Sequence, residues 1–532
     1  MKNAGLRAVQ NSLMMKKLII LFFLLLAAIG GFSQYPNILI TNAFTPEEPS
    51  IVINPGNPAI QLAGANLQGY YYSSDYGNTW TANYLTSSYG IWGDPCVIVD
   101  TGGNFYYFHL SNPSGGHFID RMVCQKSIDN GQNFDDGTYF GLNSPKQQDK
   151  EWAVVDPATN NIYSAWTQFD KYGSATSTDS SNIMFSRSTD AAQTWSPAIR
   201  INTLAGDCRD SDNTVEGAVP AVGPNGEVYI SWAGPAGLMF TSSLDGGLSW
   251  PSDNIFVSDM PGGWDYSIQG IYRCNGMPVT CCDLSNGPYR GTIYINWSDQ
   301  RNGTTDTDIF LAKSTDGGLT WTAPKRVNND PPGKQQFDTW MTVDQVTGIL
   351  YFVFYDRRNY SDNRTDVYLA TSRDGGETFQ NFCISESPFM PTAVVFFGDY
   401  TNISASNNIV RPVWARLDNG QLSVMTALVD SADVLHVPGS EPNLTMTLDQ
   451  NYPNPAATST YISFKLRPAA DVSLKLYDLF GTLHATLLDR KFLTAGKYVE
   501  ELDLKAKNIT PGVYVYQLIT GDKVVSRKMV VE

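Results

Sequence analysis

Apolar and polar residues alternate in short runs along most of the chain, and each run stops at a turn. EWAVVDPATNNIYSAW (151–166), VPAVGPNGEVYISW (219–232), GPYRGTIYINW (287–297) and TWMTVDQVTGILYFVF (339–354) share one plan. An apolar strand is followed by a turn of Asp, Asn, Gly or Pro, and then by a second strand ending in an aromatic. Period-two alternation predicts strands, and no long stretch carries a helical period. Aromatics at 12 %, with 45 Gly and 29 Pro among 532 residues, suit an all-β protein with many turns.

After these strand pairs comes a recurrent turn. KSTDGGLTW (313–321), SLDGGLSW (243–250) and SRDGGETF (372–379) are three of six segments of the form Ser-x-Asp-x-Gly-x-Thr-Trp. They begin at Ser73, Ser127, Ser188, Ser243, Ser314 and Ser372, at steps of 54, 61, 55, 71 and 58 residues. Their aspartates are Asp75, Asp129, Asp190, Asp245, Asp316 and Asp374. An Asp after a short strand accepts N–H groups of its own turn, and a Gly two residues on takes positive φ without steric cost. Ala192 replaces that Gly in the third copy, which predicts about 1–2 kcal/mol of strain if the conformation is kept. A period of this size predicts one four-stranded sheet per repeat, the unit of a β-propeller. The strand pair occurs once more without the turn, at GDYTNISASNNIVRPVW (398–414), so seven blades are favoured over six. Residues 36–41 (PNILIT) are expected to supply the last outer strand and close the ring.

The six turns resemble the Asp-box (BNR) repeats of sialidases and related secreted propellers, over about residues 36–430. The resemblance implies a scaffold role for the turns. It also implies what a sialidase needs: three arginines on the substrate carboxylate, one in a first-blade Arg-Ile-Pro motif, a Tyr–Glu nucleophile pair and an Asp acid/base. The chain has no Arg between Arg7 and Arg121, so the first-blade arginine is missing. Among 28 Tyr no nucleophile stands out.

Charge and leader narrow the partners. Lys16 and Lys17 precede LIILFFLLLAAIGG, with small residues after it, as in a secretory signal peptide over 1–34. Met14 and Met15 fit its start better than Met1, and no later run is long enough to span a membrane in the mature chain. Residues 34–446 hold 21 basic and 43 acidic side chains, which disfavours nucleic acid and anionic membranes. Extracellular glycans, a surface protein or cations remain as partners. Seven cysteines (Cys96, Cys124, Cys208, Cys274, Cys281, Cys282, Cys383) on an oxidising route predict some bridging, with one left over. Four His, widely spaced, argue for neither a zinc site nor a triad.

Two constellations carry candidate chemistry. With the blades aligned on Asn54, Asp100, Asp156, Asp344 and Ala405, the residues six positions earlier are Glu48, Asp94, Lys150, Asp338 and Asp399, with Asp149, Glu151 and Glu216 near by. These carboxylates are expected at one mouth of the channel. Glu48, Asp94, Asp338 and Asp399 are candidate oxygen ligands for Ca2+, and Asp94, Asp338 and Asp399 candidate glycosidase acids and bases. At the ends of two second strands, Asp299 and Arg301 match Asp356 and Arg358 and form a candidate binding set. Trp152, Trp340 and Tyr355 are expected to be exposed for stacking on sugars. An exported glycoside hydrolase and a non-catalytic surface-binding propeller both fit.

From Leu448 the texture changes. QNYPNP (450–455), VSLKLYDLFG, AGKYVEELDL and PGVYVYQL (511–518) read as a small β-sandwich. The segment resembles the type A sorting domain of the type IX secretion system. This implies a partner in that machinery, export across the outer membrane, and release or surface attachment. The expected layout is signal peptide 1–34, propeller 35–430, linker 431–447 and sorting domain 448–532.

Overall fold

The computed structural model describes residues 35–430, 446–448, 450–466, 469–478, 482–494, 496–521 and 523–532. The expected signal peptide and most of the expected linker lie outside them. Among the described residues every regular element is a strand, and none is a helix that could cross a membrane. The chain divides into two compact units near residue 435.

The first unit contains seven antiparallel sheets, each with four main strands. Their first strands are Ser50–Ile53, Cys96–Val99, Gln147–Val155, Glu216–Val222, Val279–Cys282, Gln336–Val343 and Asn402–Ser406. Each is a neighbour of the next, and the seventh lies beside the first, so the ring closes as a seven-bladed propeller. Side chains from all seven strands line one channel of about 340 Å³. The seventh sheet takes its outer strand from the other end of the unit: Asn37–Thr41 pairs with Gln421–Ala427, Asn37 opposite Ala427. This closure removes the free sheet edges that an open ring would expose.

Why the repeat recurs is visible in its hydrogen bonds. In KSTDGGLTW, Ser314 Oγ donates to Asp316 Oδ1 at 2.7 Å and accepts the Gly318 N–H at 2.9 Å. Asp316 Oδ1 accepts Thr320 N–H at 2.9 Å and its Oδ2 the Thr320 hydroxyl at 2.5 Å. The Ser–Asp bond recurs in the other five copies at Asp75, Asp129, Asp190, Asp245 and Asp374. Each segment thus satisfies its own backbone at the tip between third and fourth strands. Two successive residues are left-handed in each tip, and the third copy keeps this with Ala191 at φ 59° and Ala192 at φ 65°.

All seven cysteines are thiols, which corrects the expectation of bridges. They are distributed over separate strands and loops, and the adjacent Cys281 and Cys282 of one strand alternate in direction.

The second unit is a β-sandwich. One sheet holds Met446–Leu448, Ser459–Leu466 and Gly496–Asp503; the other holds Leu483–Leu493, Ala470–Asp478, Gly512–Thr520 and Lys523–Val531. Ile462, Phe464, Leu474, Leu476, Tyr516 and Leu518 fill its core. Within QNYPNP, the Asn451 N–H donates to Tyr516 Oη at 2.7 Å and its amide to Thr460 Oγ1 at 2.9 Å, which anchors the motif to both sheets.

Candidate functional site

The channel mouth is built by an irregularity repeated around the ring. Just before or within the first strands the backbone takes a left-handed residue: Glu48 (φ 51°), Asp94 (φ 54°), Lys150 (φ 53°) and Asp338 (φ 48°), with Gly217 (φ 75°) in the fourth sheet. In the third, fourth and sixth sheets the register slips here, as in a β-bulge. Left-handed φ at four non-glycine residues costs about 1–2 kcal/mol each. The strain is retained where the bulges bring charged side chains together.

The seventh sheet departs from the sequence alignment by one residue. The Ile51 N–H bonds Asn402 Oδ1, and the Val97 N–H bonds Ser50 Oγ. Asn402 is therefore the counterpart of Ser50, and Ser406 rather than Ala405 the counterpart of Asn54. Asp399 stands one place earlier than Glu48 and Asp94, level with Asp149 and Glu216. It still reaches the mouth, because Gly398 (φ 98°) has no side chain; a Cβ there would come within 2.8 Å of the Glu48 nitrogen.

Lys150 holds the centre. Its Nζ lies 2.9 Å from Asp399 Oδ2, 3.2 Å from Glu48 Oε1 and 3.3 Å from Asp94 Oδ2. Asp399 also accepts Arg273 Nε–H at 2.8 Å, and Arg273 Nη1–H bonds Asp210 Oδ2 at 3.3 Å. Arg273 comes from the long connection between the fourth and fifth sheets. An ammonium thus occupies the space between three of the four carboxylates expected to bind Ca2+. The fourth, Asp338, is engaged by the Cys274 thiol at 3.2 Å. Among the described residues no group of three or more acidic, His or Cys side chains is arranged to hold a metal ion.

The two cations divide the carboxyls into two classes. Burial is the largest influence on Asp94 and Asp399 and works to raise both, but Lys150 together with hydrogen bonds from Glu48 and Asp149 outweighs it at Asp94, and Lys150 with Arg273 at Asp399, so both end below the usual range. Burial wins at Glu48, Asp149, Glu151, Glu216 and Asp338, with nearby carboxylates adding to it, and all five are pushed well up. Both oxygens of Glu151 and of Glu216 are buried without a hydrogen-bond partner. Glu47, at the rim, is raised to about 7 by burial, against a hydrogen bond from Asn66.

Below the cage the channel is plugged. Trp152 and Trp340, from the third and sixth sheets, approach to 4.3 Å between ring centroids, and Tyr400 packs on Trp152 at 5.0 Å. Trp152 is buried and Trp340 half-buried. Tyr355 is fully buried, its hydroxyl on the Ala415 carbonyl at 2.8 Å. The expectation of three exposed stacking aromatics is corrected: alternation placed two on the channel lining and one between sheets.

Above the cage a cleft of about 230 Å³ opens to solvent, lined by Glu47, Asn66, Trp92, Phe118, Tyr172 and Arg273 among others. Trp92 and Phe118 are 40 % and 37 % exposed and meet edge to face at 4.8 Å. Asn66 ties this rim to the cage: its amide donates to Glu47 Oε1 at 3.2 Å and Glu48 Oε2 at 2.5 Å, and its carbonyl accepts the Asp94 N–H at 2.7 Å. Gly93 permits the approach, since a Cβ there would meet Asn66 Oδ1 at 2.4 Å. Glu47, Trp92 and Phe118 were missed from the sequence. The available signal was the IWGDP segment, which sets an aromatic two residues before Asp94.

The second constellation lies away from the axis. Arg301 Nε–H donates to Asp299 Oδ1 at 2.9 Å, and Arg301 Nη2–H reaches the Asp259 carbonyl at 3.1 Å at the outer edge of the fourth sheet. Arg358 Nε–H donates to Asp356 Oδ2 at 2.8 Å, and Arg358 Nη1–H reaches Asn329 Oδ1 at 2.7 Å, beyond the fifth sheet. Each pair joins its own sheet to the preceding one. The structure does not bring Asp299, Arg301, Asp356 and Arg358 to the mouth cleft.

Comparison with known proteins identifies the tail. Residues 450–532 match the family model for the secretion system C-terminal sorting domain. The chain therefore carries a type IX sorting domain and is exported across the outer membrane to the cell surface. No curated protein sequence matches the chain. Among solved structures, an ulvan lyase is similar at 13 % identity over 76 % of this chain and 96 % of that one, TM-score 0.43. An α-L-arabinanase of Penicillium chrysogenum is similar at 15 % identity over 64 % and 97 %, TM-score 0.40. A sialidase of Trypanosoma rangeli is similar at 11 % identity over 84 % of each chain, TM-score 0.39.

Proposed function

We propose that the exported propeller recognises neutral saccharides at its channel mouth, on a scaffold of the sialidase-like, Asp-box kind. One observation carries this: the exposed Trp92–Phe118 pair beside Glu47 and Asn66 in a single cleft. Aromatic faces supply apolar contact to a sugar ring, and the amide and carboxyl supply oriented hydrogen bonds to its hydroxyls. The carboxyls on its lining, Glu47, Glu48, Asp94 and Asp149, disfavour a negatively charged sugar at this mouth. In this reading Asp94 and Asp399 hold Lys150 and Arg273, Asp338 holds Cys274, and none of the three performs acid/base chemistry.

A second reading, hydrolysis of the bound saccharide, rests on Glu47. A carboxyl held near 7 at the rim of a cleft is suited to proton donation. The full chain, titrated with neutral and carboxylated oligosaccharides while intrinsic tryptophan fluorescence and reducing-sugar release are followed, decides between them. Saturable binding of neutral sugars without release supports recognition. Release that Glu47→Gln abolishes supports the hydrolase. Binding unchanged by Trp92→Ala overturns the site.

A further inference from the structure

A larger cleft, of about 780 Å³, lies over the fifth and sixth sheets and is lined by Gln269, Thr304, Lys334, Gln335, Arg357 and Tyr360 among others. Arg357 is only 4 % exposed, and its Nη2 has no hydrogen-bond partner. Its other nitrogens bond neutral groups: Nη1–H donates to the Gln269 carbonyl at 2.7 Å and to Gln335 Oε1 at 3.2 Å, and Nε–H to Thr365 Oγ1 at 3.2 Å. Among the described residues no carboxylate is within ion-pair distance of it. The acidic residue on the lining, Asp362, is engaged by Arg364 at 3.0 Å. Lys334 adds a second positive charge to the lining, its Nζ donating to the Tyr360 carbonyl at 2.5 Å.

The fold does not require a charge at this position. Asp299-Gln300-Arg301 and Asp356-Arg357-Arg358 are the same segment in neighbouring sheets, so Gln300 is the counterpart of Arg357. Gln300 makes the equivalent contacts with a neutral amide, donating to the Ser267 carbonyl and to Thr307 Oγ1, each at 3.3 Å. The guanidinium is therefore surplus to the scaffold. A buried cation without a counterion is costly, and an anion from solution relieves that cost. Burial draws Arg357 down to about 10, so it still carries its charge at neutral pH.

We propose that this cleft is a second ligand site, for a saccharide bearing a carboxylate or a sulfate ester, with Arg357 holding the anion and Lys334 supporting it. The planar guanidinium suits either group, and the polar lining of Thr, Gln and Tyr suits sugar hydroxyls.

The test is calorimetric titration of the full chain with three matched oligosaccharides, one glucuronate-bearing, one sulfated and one neutral, repeated on Arg357→Gln and Trp92→Ala. Arg357→Gln installs the residue the fifth sheet already uses, so the fold is expected to survive. Expected is binding of one or both anionic probes to the wild type, about tenfold to a hundredfold weaker in Arg357→Gln and unchanged in Trp92→Ala. Which anionic probe binds separates uronate from sulfate. Equal affinity of Trp92→Ala for the neutral and anionic probes, or an Arg357→Gln affinity for the anionic probes equal to wild type, overturns the proposal. Should Arg357→Gln fail to fold, titration of the wild type with an anionic probe in the presence of saturating neutral probe still decides: unchanged anionic binding supports a separate site, and displacement overturns it. Loss of neutral-sugar binding in Trp92→Ala alone concerns the channel mouth and leaves this site standing.

Discussion

Lys150 Nζ and Asp399 Oδ2 lie 2.9 Å apart across the channel mouth, although 249 residues separate them in sequence. The third and seventh sheets are thus tied at the axis by one buried ion pair. Removing Lys150 leaves Asp94 without a cation and Asp399 with Arg273 alone, and loss of one partner of a buried pair costs about 3–5 kcal/mol. Lys150→Met is expected to lower the melting temperature sharply at pH 7. The loss should shrink at pH 4, where a proton replaces the ammonium on Asp94. Added calcium or chelator should leave the wild-type melting temperature unmoved, because the ammonium fills the space between the carboxylates. A calcium-dependent shift in the wild type would contradict that arrangement.

Stability should fall as pH rises through the weakly acidic range. Glu47, Glu48, Asp149, Glu151, Glu216 and Asp338 have folded-state values above their unfolded ones, so the native state holds more protons than the unfolded chain. Such groups favour the fold below their unfolded values and lose that contribution as pH rises through the folded ones. Asp94 and Asp399 act in the opposite sense: their contribution is present above about 3.8 and is lost as pH falls below it. Thermal melts from pH 3 to 8 should therefore give a maximum near pH 4–5. For Glu47 the window runs from 4.5 to about 7. Glu47→Gln should flatten the decline within that window and leave the acid limb in place.

The third turn offers a stability gain. Ala191 and Ala192 hold left-handed φ where the fourth, fifth and sixth sheets use Gly pairs. Left-handed alanine costs about 1–2 kcal/mol, and glycine returns about 0.5–1 kcal/mol of that as unfolded-state entropy. Ala191→Gly should stabilise by up to about 1 kcal/mol. Ala192→Gly should gain less, because the Ala192 methyl is buried and its removal costs about 0.8 kcal/mol. Urea denaturation midpoints of the two variants order them; Ala192→Gly exceeding Ala191→Gly would contradict the burial argument.

Repetition made the scaffold legible and left the site obscure. The six Ser-x-Asp turns and the unpaired strand pair at 398–414 gave seven sheets, and PNILIT gave the closing strand, because period and alternation are properties of the chain itself. The mouth carboxylates were also found by alignment, Asp399 by a compensated error of one residue. In the sequence Lys150 is only an interruption of the acidic ring, because its reach to Glu48, Asp94 and Asp399 depends on bulges that alternation does not register. Alternation alone predicts Trp152 and Trp340 as exposed, because a strand face turned to a channel reads like one turned to solvent. Arg357 differs from its counterpart Gln300 in the sequence itself, but the matching Asp–Arg pairs beside it draw attention to Arg358.

Ring closure sets the last expectation. Asn37–Thr41 completes the seventh sheet, and Asn37 is also held to the sixth: its amide donates to the Ile384 carbonyl at 2.7 Å, and its backbone N–H to Glu386 Oε1 at 3.0 Å. Without residues 35–41 the strand Gln421–Ala427 becomes a free edge, able to pair with another chain. Asn37→Ala removes the side-chain part of the clasp and keeps the strand; it should lower stability by about 1 kcal/mol and leave the oligomeric state unchanged. A chain lacking 35–41 should instead associate through the exposed edge in a concentration-dependent way. Light scattering of the two, at matched concentrations, separates the clasp from the strand. A truncated chain that keeps the wild type's oligomeric state and melting temperature would show that the ring is held by its inner strands alone.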